Sequence, residues 1–285
     1  MKKILVTGSS GFIGKHLVVK LKELNFQVLE CPGSAQINLC DIDQVEKLPQ
    51  ADVIVHLAAR SFIPNSFKDP QDFYSNNVLS TLNILDKARK EGSKLIYLST
   101  YVYGRPEYLP VDELHPLRPL NPYTQSKVIG EDLCRAYHRD FGLPSVVLRL
   151  FNVYGPGQGT SFFIPSILAQ LKKPLIELQD SRPRRDFIFI DDVVNAIISA
   201  TEYVSDGFDI LNVGTGNSVS VREVAELIRT LSGSSVKIRF MDQVRQGEVL
   251  DTVADISRIK SVLNWEVDVS LEDGLRKLID SDLIN

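Results

Sequence analysis

Tyr123 and Lys127 stand four residues apart in Tyr-Thr-Gln-Ser-Lys, a spacing that puts both on one face of a helix. A phenol is a weak base near neutral pH because its ordinary pKa is about 10. A neighbouring ammonium favours the phenolate, and the same ammonium can hold a ribose hydroxyl. One lysine would then couple cofactor placement to base strength. Ser99-Thr100 close the run Lys94 to Ser99, which reads as a strand. A hydroxyl at that strand end would face the same cleft and share a hydrogen bond with the phenol and a substrate oxygen. The third element is Thr7-Gly-Ser-Ser-Gly-Phe-Ile-Gly14, preceded by Ile4-Leu-Val6. A buried strand, a tight glycine turn and a helix start form a pyrophosphate cradle, with free N–H groups and the positive end of the helix dipole facing the phosphates. The spacing is G-x-x-G-x-x-G rather than the dehydrogenase G-x-G-x-x-G. A Tyr-x-x-x-Lys pair alone is a common surface pattern, and a glycine turn alone needs no ligand. The three elements in one chain argue against coincidence.

The elements that must position these residues alternate. After the first helix, Phe12 to about Leu24, strands are predicted at Gln27 to Cys31, Val53 to Leu57, Lys94 to Ser99 and Ser145 to Leu150. Helical periodicity runs from Pro70 to Glu91 and from Asn121 to Phe141, each followed by glycine, with Pro122 at a tolerated position near the second start. Strands alternating with helices imply right-handed crossovers and an α/β, Rossmann-type, doubly wound parallel sheet. Ligands then gather at the carboxyl ends of the strands. After Tyr154 the pattern becomes mixed. Gly155 to Thr160 is a loop by composition, and Ile164 to Lys172 a short helix. Asp186 to Ile190 and Asp209 to Val213 read as strands, and Asp191 to Tyr203, Ser220 to Leu231, Asp255 to Leu263 and Leu271 to Ser281 as helices. The expected division is a cofactor-binding part, 1–155 plus about 191–214, and a smaller mixed α/β substrate part, about 156–190 plus 215–285.

Bulk composition narrows the partners. The 285 residues are 44% hydrophobic and 24% charged, ordinary for a soluble globular protein. With 32 Lys and Arg against 36 Asp and Glu, the formal charge is −4 and no basic block stands out, so nucleic acid is not an expected partner. No apolar run approaches the roughly 18 residues of a membrane helix, and the short run after Lys2-Lys3 does not read as a signal peptide. Cys31, Cys40 and Cys134 have no metal or redox spacing and read as reduced thiols of a cytoplasmic protein. His56 follows a strand and reads as a structural hydrogen-bonder. His16, His115 and His138 read as surface residues.

Taken together, the chain resembles the extended short-chain dehydrogenases/reductases, in the NAD-dependent nucleotide-sugar epimerase/dehydratase group (UDP-glucose 4-epimerase-like). The residues carrying the resemblance span nearly the whole length. They are Thr7 to Gly14, Asp41-Ile42, His56-Leu-Ala-Ala59, Asn77-Val78 with Thr81, Ser99-Thr-Tyr-Val-Tyr-Gly104, Tyr123 with Lys127, and Arg149-Leu-Phe-Asn-Val-Tyr-Gly-Pro156. Arg185-Asp-Phe-Ile188, Asp191-Asp192, Asn212-Val-Gly-Thr-Gly216 and Arg245-Gln-Gly-Glu248 follow. The resemblance implies that amides around Gly8, Gly11, Phe12, Ile13 and Gly14 hold the pyrophosphate. Asp41 and Ile42 would meet the adenine, and Leu57, Ala58 and Ala59 would line the cofactor path. Asn77 would sit near the ribose or the catalytic water network, with helix packing as its alternative role. Phe151 would face the nicotinamide pocket. Asn152 would bind the sugar diphosphate, Arg185 and Arg245 would clamp phosphates with their forked guanidinium groups, and Glu248 would bond the nucleotide ribose. Counting back from Val-Tyr-Gly makes Ser99 the expected catalytic hydroxyl, with Thr100 the adjacent alternative.

Two departures from the family pattern matter. The position that usually carries an acid for the adenosine ribose is Pro32; Glu30 lies two residues earlier. No Arg or Lys lies between Gln27 and Asp41 to meet a 2′-phosphate, which favours NAD while leaving NADP open. Where 4,6-dehydratases carry Asp-Glu after the catalytic threonine, this chain has Tyr101-Val102, which cannot supply paired carboxylates. The leading expectation is an NAD-dependent epimerase acting at C4 of a nucleotide-diphosphate hexose through a 4-keto intermediate. The alternative is an NAD(P)H-dependent NDP-4-keto-6-deoxyhexose reductase, kept open by a chain somewhat short for a 4-epimerase. A non-catalytic dinucleotide-binding module is the third reading. No metal is expected, and the family implies a homodimer through the two long helices.

Overall fold

The computed structural model describes residues 1–204, 207–241, 243 and 248–283. In chain order the first half comprises β1 (Lys3–Thr7), α1 (Phe12–Glu23), β2 (Gln27–Glu30), α2 (Ile42–Glu46), β3 (Val53–His56), α3 (Ile63–Lys68), α4 (Pro70–Tyr74), α5 (Ser80–Glu91), β4 (Lys94–Thr100) and α6 (Pro122–Phe141). There follow β5 (Ser145–Leu150), β6 (Asn152–Tyr154), α7 (Phe163–Leu168), β7 (Leu175–Leu178), β8 (Arg184–Arg185), β9 (Phe187–Phe189), α8 (Ile190–Glu202) and β10 (Phe208–Val213). The chain finishes with β11 (Val219–Ser220), α9 (Val221–Leu231), β12 (Lys237–Phe240), α10 (Ser257–Leu263) and α11 (Leu271–Leu283).

Six strands form one parallel sheet in the order β10-β5-β4-β3-β1-β2. The chain reverses its direction of travel across the sheet between β1 and β3, which makes the crevice at their carboxyl ends the natural ligand site. Successive side chains of each strand serve opposite faces. Ile4, Val6, Val53, Val55, Ile96 and Leu98 pack with Leu17 and Leu21 of α1 and Val193 and Ile197 of α8. Leu5, Ile54, Leu95 and Tyr97 pack with Ile84, Leu85 and Ala88 of α5 and Cys134 of α6. Burial on both faces explains why these strands read as near-continuous apolar runs.

Helix ends follow the punctuation in the sequence. Gly92 and Gly142 terminate α5 and α6 in the left-handed region, at φ 69° and 68°. Asn121 and Thr124 form a reciprocal capping box that fixes the start of α6 and places Tyr123 in its first turn. The predicted helix Pro70 to Glu91 is present but is not uniform, because a π-helical turn at Ser75–Leu79 joins α4 to α5. The stretch before Pro70 contains α3, and the helix expected to reach Lys172 ends at Leu168. Three two-stranded pairings after Leu150 had no sequence expectation of their own: β6 with β9, β8 with β11, and β7 with β12. Strands of two to four residues are too short to show a period. Among the described residues no helix is long and apolar enough to cross a membrane, and no group of His, Cys, Asp and Glu could hold a metal ion.

Candidate active site

The glycine turn joins β1 to α1 and lies against the chain that follows β3. Gly8 is at φ 69°, and a Cβ there would sit 2.8 Å from the Ala58 nitrogen. Leu57 N–H donates to the Thr7 carbonyl at 3.2 Å, and Ala58 N–H to the Thr7 hydroxyl at 3.2 Å. Leu57, Ala58 and Ala59 are therefore held beside the turn. Gly11 is the N-cap of α1 and offers no capping side chain, so the first helical N–H groups, Phe12, Ile13 and Gly14, are left to a ligand. These residues fit an anionic pyrophosphate in both space and charge.

His56 anchors the floor of the turn. The Thr7 hydroxyl, already accepting from Ala58, donates to Nδ1 at 2.8 Å; Nε2–H donates to the Thr81 hydroxyl at 3.2 Å, which donates to the Asn77 carbonyl at 2.6 Å. That chain of donors assigns the neutral Nε2–H tautomer. Burial, with a smaller push from the Lys127 charge, lowers the imidazole pKa to about 3. Unfolded, the ring gains its proton below about pH 6.5; folded, it stays neutral until about 3. Stability from this group is present above pH 6.5 and falls as pH drops, by up to about 1.4 kcal/mol per unit. Urea unfolding from pH 6.5 to 4 is expected to show a shallower pH slope in His56→Gln than in the parent.

Tyr123 lies at the start of α6 against the carboxyl end of β4. Its phenol is hydrogen-bonded by Thr100, which favours the phenolate, while burial is the larger effect and holds its pKa above the ordinary value. The Phe73 ring packs edge-on at 6.4 Å. One turn further along, Lys127 is buried with its ammonium 4.1 Å from the Tyr97 ring centroid. Desolvation lowers the Lys127 pKa to about 8, against an opposing pull from Glu131 and Cys134. The lowering of the Tyr123 pKa expected from Lys127 is not seen: loss of water around the phenol raises it and only the Thr100 hydrogen bond opposes that.

Ser99, the expected hydroxyl, is engaged elsewhere. It is buried and donates to Glu131 Oε1. The reason lies in the strand: Ser99 faces the interior beside Tyr97, whereas Thr100 is half-buried where β4 opens into the cleft. Exchanging the two hydroxyls should separate them. Thr100→Val is expected to lower kcat about 10²-fold, the low end for a group assisting proton transfer, and Ser99→Ala much less, with turnover on the true substrate as the measurement.

A second region lies beyond Tyr101, whose ring packs on Phe151 at 5.3 Å. A cavity of about 380 Å³ is lined by Asn152, Phe163, Phe187, Arg185 and Glu248, among others. Arg185 donates to the carbonyls of Arg184 and Val249 at 2.7 Å and pairs with Glu248. Asp186 fixes this corner from below. It is fully buried and accepts from Thr215 N and Oγ1 at 2.7 Å, Gly216 N at 3.0 Å and Ala254 N at 3.1 Å. Its own carbonyl accepts from Asn152 N–H at 3.0 Å. The glycine turn, the Tyr123–Lys127 pair and a guanidinium-bearing cavity are thus the three parts of the candidate site.

Residues 4–214 match the model of the NAD dependent epimerase/dehydratase family. The chain belongs to that family. It is similar to a putative UDP-glucose 4-epimerase of Methanocaldococcus jannaschii, 34% identical over 97% of each chain. It is 30% identical to the GDP-6-deoxy-D-mannose reductase of Pseudomonas aeruginosa over 98% of this chain and 96% of that one. Among solved structures, the UDP-glucose 4-epimerase of Thermotoga maritima with UDP-glucose superposes with a TM-score of 0.90 at 27% identity, covering 99% of this chain and 100% of the other.

Other expected residues of this epimerase/dehydratase chain fall into place unevenly. Asp41 caps α2, accepting from Asp43 N at 3.0 Å and Gln44 Nε2 at 2.8 Å, and Ile42 beside it is exposed. Asn77 sits in the π turn, accepts from Arg60 N at 2.7 Å, and donates to Arg60 O at 3.0 Å and Ser126 Oγ at 2.9 Å. Glu30 is on the surface in an ion pair with Lys22 at 2.7 Å. Arg245 lies outside the described residues. The histidines need one correction: His115, expected at the surface, is buried, with Glu107 N–H donating to Nε2 at 2.8 Å and Tyr108 4.7 Å away. The loop Arg105 to Leu120 folds over it, and no periodicity announces a folded-back loop. His16 and His138 are half-buried, bonded to the carbonyls of Pro156 at 2.9 Å and Leu143 at 3.2 Å.

Proposed function

We propose that this chain is an NAD-dependent nucleotide-sugar epimerase acting at C4 of an NDP-hexose through a transient 4-keto sugar. The observation that carries the reading is the placement of Thr100, Tyr123 and Lys127 together at the carboxyl edge of the sheet. Bound NAD would accept the C4 hydride and later return it. Gly8, Gly11, Phe12, Ile13 and Gly14 would hold its pyrophosphate, Asp41 and Ile42 its adenine end, and Leu57, Ala58, Ala59 and Phe151 its path to the nicotinamide. Lys127 would bond the ribose.

Tyr123 takes the proton of the 4-hydroxyl while the Thr100 hydroxyl supports the phenolate. After the keto sugar turns, Tyr123 returns a proton to the C4 oxygen on the other face, the microscopic reverse of its first act. Asn152, Arg185 and Glu248 hold the nucleotide diphosphate; for Arg185 to meet phosphate, its pairing with Glu248 loosens as the ribose takes the carboxylate. Tyr101, its ring packed on Phe151, stands where paired acids would be needed for dehydration. The cofactor part is 1–155 with 191–214, and the sugar-nucleotide part 156–190 with 215–285. Two copies pair through the helices 70–91 and 122–141, a pairing supported by the exposed Tyr74, Leu79 and Phe141.

The test is incubation of purified protein and NAD with UDP-glucose, UDP-galactose and other NDP-hexoses, followed by NMR of the sugar. Interconversion of a C4 pair without consumption of added cofactor supports the epimerase. The similarity to a GDP-6-deoxy-D-mannose reductase favours a second reading: stoichiometric oxidation of NAD(P)H by an NDP-4-keto-6-deoxyhexose, without epimerisation, would establish it.

A further inference from the structure

Tyr123, Lys127 and Glu131 occupy successive turns of one face of α6. An acid one turn after a lysine is its natural ion-pair partner. Here the acid is already occupied. Both Glu131 and Arg149 side chains are 2% exposed. Arg149 Nε donates to Oε1 and Oε2 at 3.1 Å, Nη2 donates to Oε2 at 2.6 Å, and Ser99 donates to Oε1. The other end of the guanidinium is fixed as well: Nη1 donates to the Tyr103 hydroxyl at 2.9 Å, which donates to Asn212 Oδ1 at 2.5 Å. Among the described residues no ion pair joins Lys127 to Glu131. The Glu131 carboxylate is therefore taken up by Arg149 and Ser99, and Lys127 is left without an ion-pair partner among the described residues.

We propose that Arg149 is a positioning residue acting through Glu131: by occupying that carboxylate it keeps the Lys127 ammonium from pairing along its own helix and leaves it for Tyr123 and the cofactor ribose. The inference rests on the reading of Tyr123 and Lys127 as the proton-transferring pair. A buried charge inside an apolar strand, Ser145-Val-Val-Leu-Arg-Leu150, is costly unless paired, and the forked guanidinium saturates a carboxylate as an ammonium cannot.

The other ionisable groups around the pair do not compete with this assignment. From β3 comes His56, neutral; from β4, Tyr97, whose phenol burial pushes up; from α6 itself, Cys134, whose thiol is pushed up likewise. Glu113 and Tyr103 lie on the far side of Arg149. From α4 comes the Phe73 ring, from the π turn the Asn77 amide, and from α3 the exposed Lys68. Asp86, Arg89 and Lys90 of α5 act on α6 near Tyr137, several turns away.

The experiment compares Arg149→Met, Glu131→Gln and the double variant by two readouts: the pH profile of kcat/KM, and the NMR titration of the ¹⁵N-labelled Lys127 ammonium in cofactor-free protein. Removing the buried cation is expected to move both to higher pH, and removing the anion to lower pH, each by about one unit or more. The double variant, with no net charge change, should return near the parent position. Shifts in the same direction, or slower turnover with no shift, would overturn the proposal, since a merely structural role predicts those. If Arg149→Met fails to fold, the downward shift in Glu131→Gln and its reversal in the double variant still decide, because removing both partners of a buried pair is tolerated better than removing one. If the parent turns over no NDP-hexose, the functional reading falls, while the Lys127 titration still decides this one.

Discussion

Tyr123→Phe is expected to lower kcat by about 10²- to 10⁴-fold, the usual contribution of a positioned acid–base group, with little change in NAD affinity. Only the hydroxyl is removed, and the ring keeps its contact with Phe73. On the proposed reading the variant loses the proton acceptor for the 4-hydroxyl and the proton donor for the return step, so both directions fall together. On the proposed reading, cofactor binding rests on the glycine turn and Lys127, which the substitution leaves in place. Turnover measured beside NAD titration calorimetry checks both halves. Parent-like kcat in Tyr123→Phe would remove Tyr123 from the chemistry. Loss of NAD binding in step with kcat would make its role structural. A non-catalytic dinucleotide module would show no difference in any function.

Gly14→Ala is expected to be among the most damaging single-methyl changes in the chain. The added Cβ would lie 2.2 Å from the Gly8 carbonyl oxygen and 2.8 Å from Ser9 Cα and O. All three are backbone atoms of the turn, so no side chain can swing aside. Either α1 moves away from the turn or the turn opens, and the N–H groups proposed to face the pyrophosphate are displaced in both cases. The cost expected for forcing a methyl into such a site is about 3 kcal/mol, the upper part of the range for overpacking, with a loss of NAD affinity of more than tenfold. Gly33→Ala is the control for folding, because a Cβ there meets nothing within 4 Å. Urea unfolding and NAD calorimetry on both variants provide the measurement. A Gly14→Ala protein with parent stability and affinity would show that the turn is looser than its geometry.

What proved legible in the sequence follows from physics that is local. The glycine triplet demanded a turn whatever surrounded it. The helix ends at Gly92 and Gly142 followed from the one residue type that enters the left-handed region freely. The inner strands β1, β3, β4 and β5, buried on both faces, announced themselves as apolar runs, and a tyrosine and lysine one turn apart needed only a helix to become neighbours. Short pairings such as β6 with β9 were invisible, since three residues carry no period.

The tertiary structure decided matters of orientation and partnership. Ser99 and Thr100 are adjacent hydroxyls in sequence, and nothing in their chemistry separates them. The position of α6 over the end of β4 gives one to Glu131 and the other to Tyr123. His115 looked solvent-exposed because its partners, Glu107 and Tyr108, lie on a loop that only the fold closes. Arg149 was visible as a charge inside an apolar strand, but its partner was not, because Glu131 lies on α6, 18 positions earlier in the chain. By itself the sequence determined the strands of the sheet, the glycine turn and the Tyr123–Lys127 pair, since each depends on backbone propensity and spacing within one element. The tertiary structure alone decided which hydroxyl and which charge stand beside that pair, since hydrogen bonds and buried ion pairs form between elements and leave no periodic trace in either.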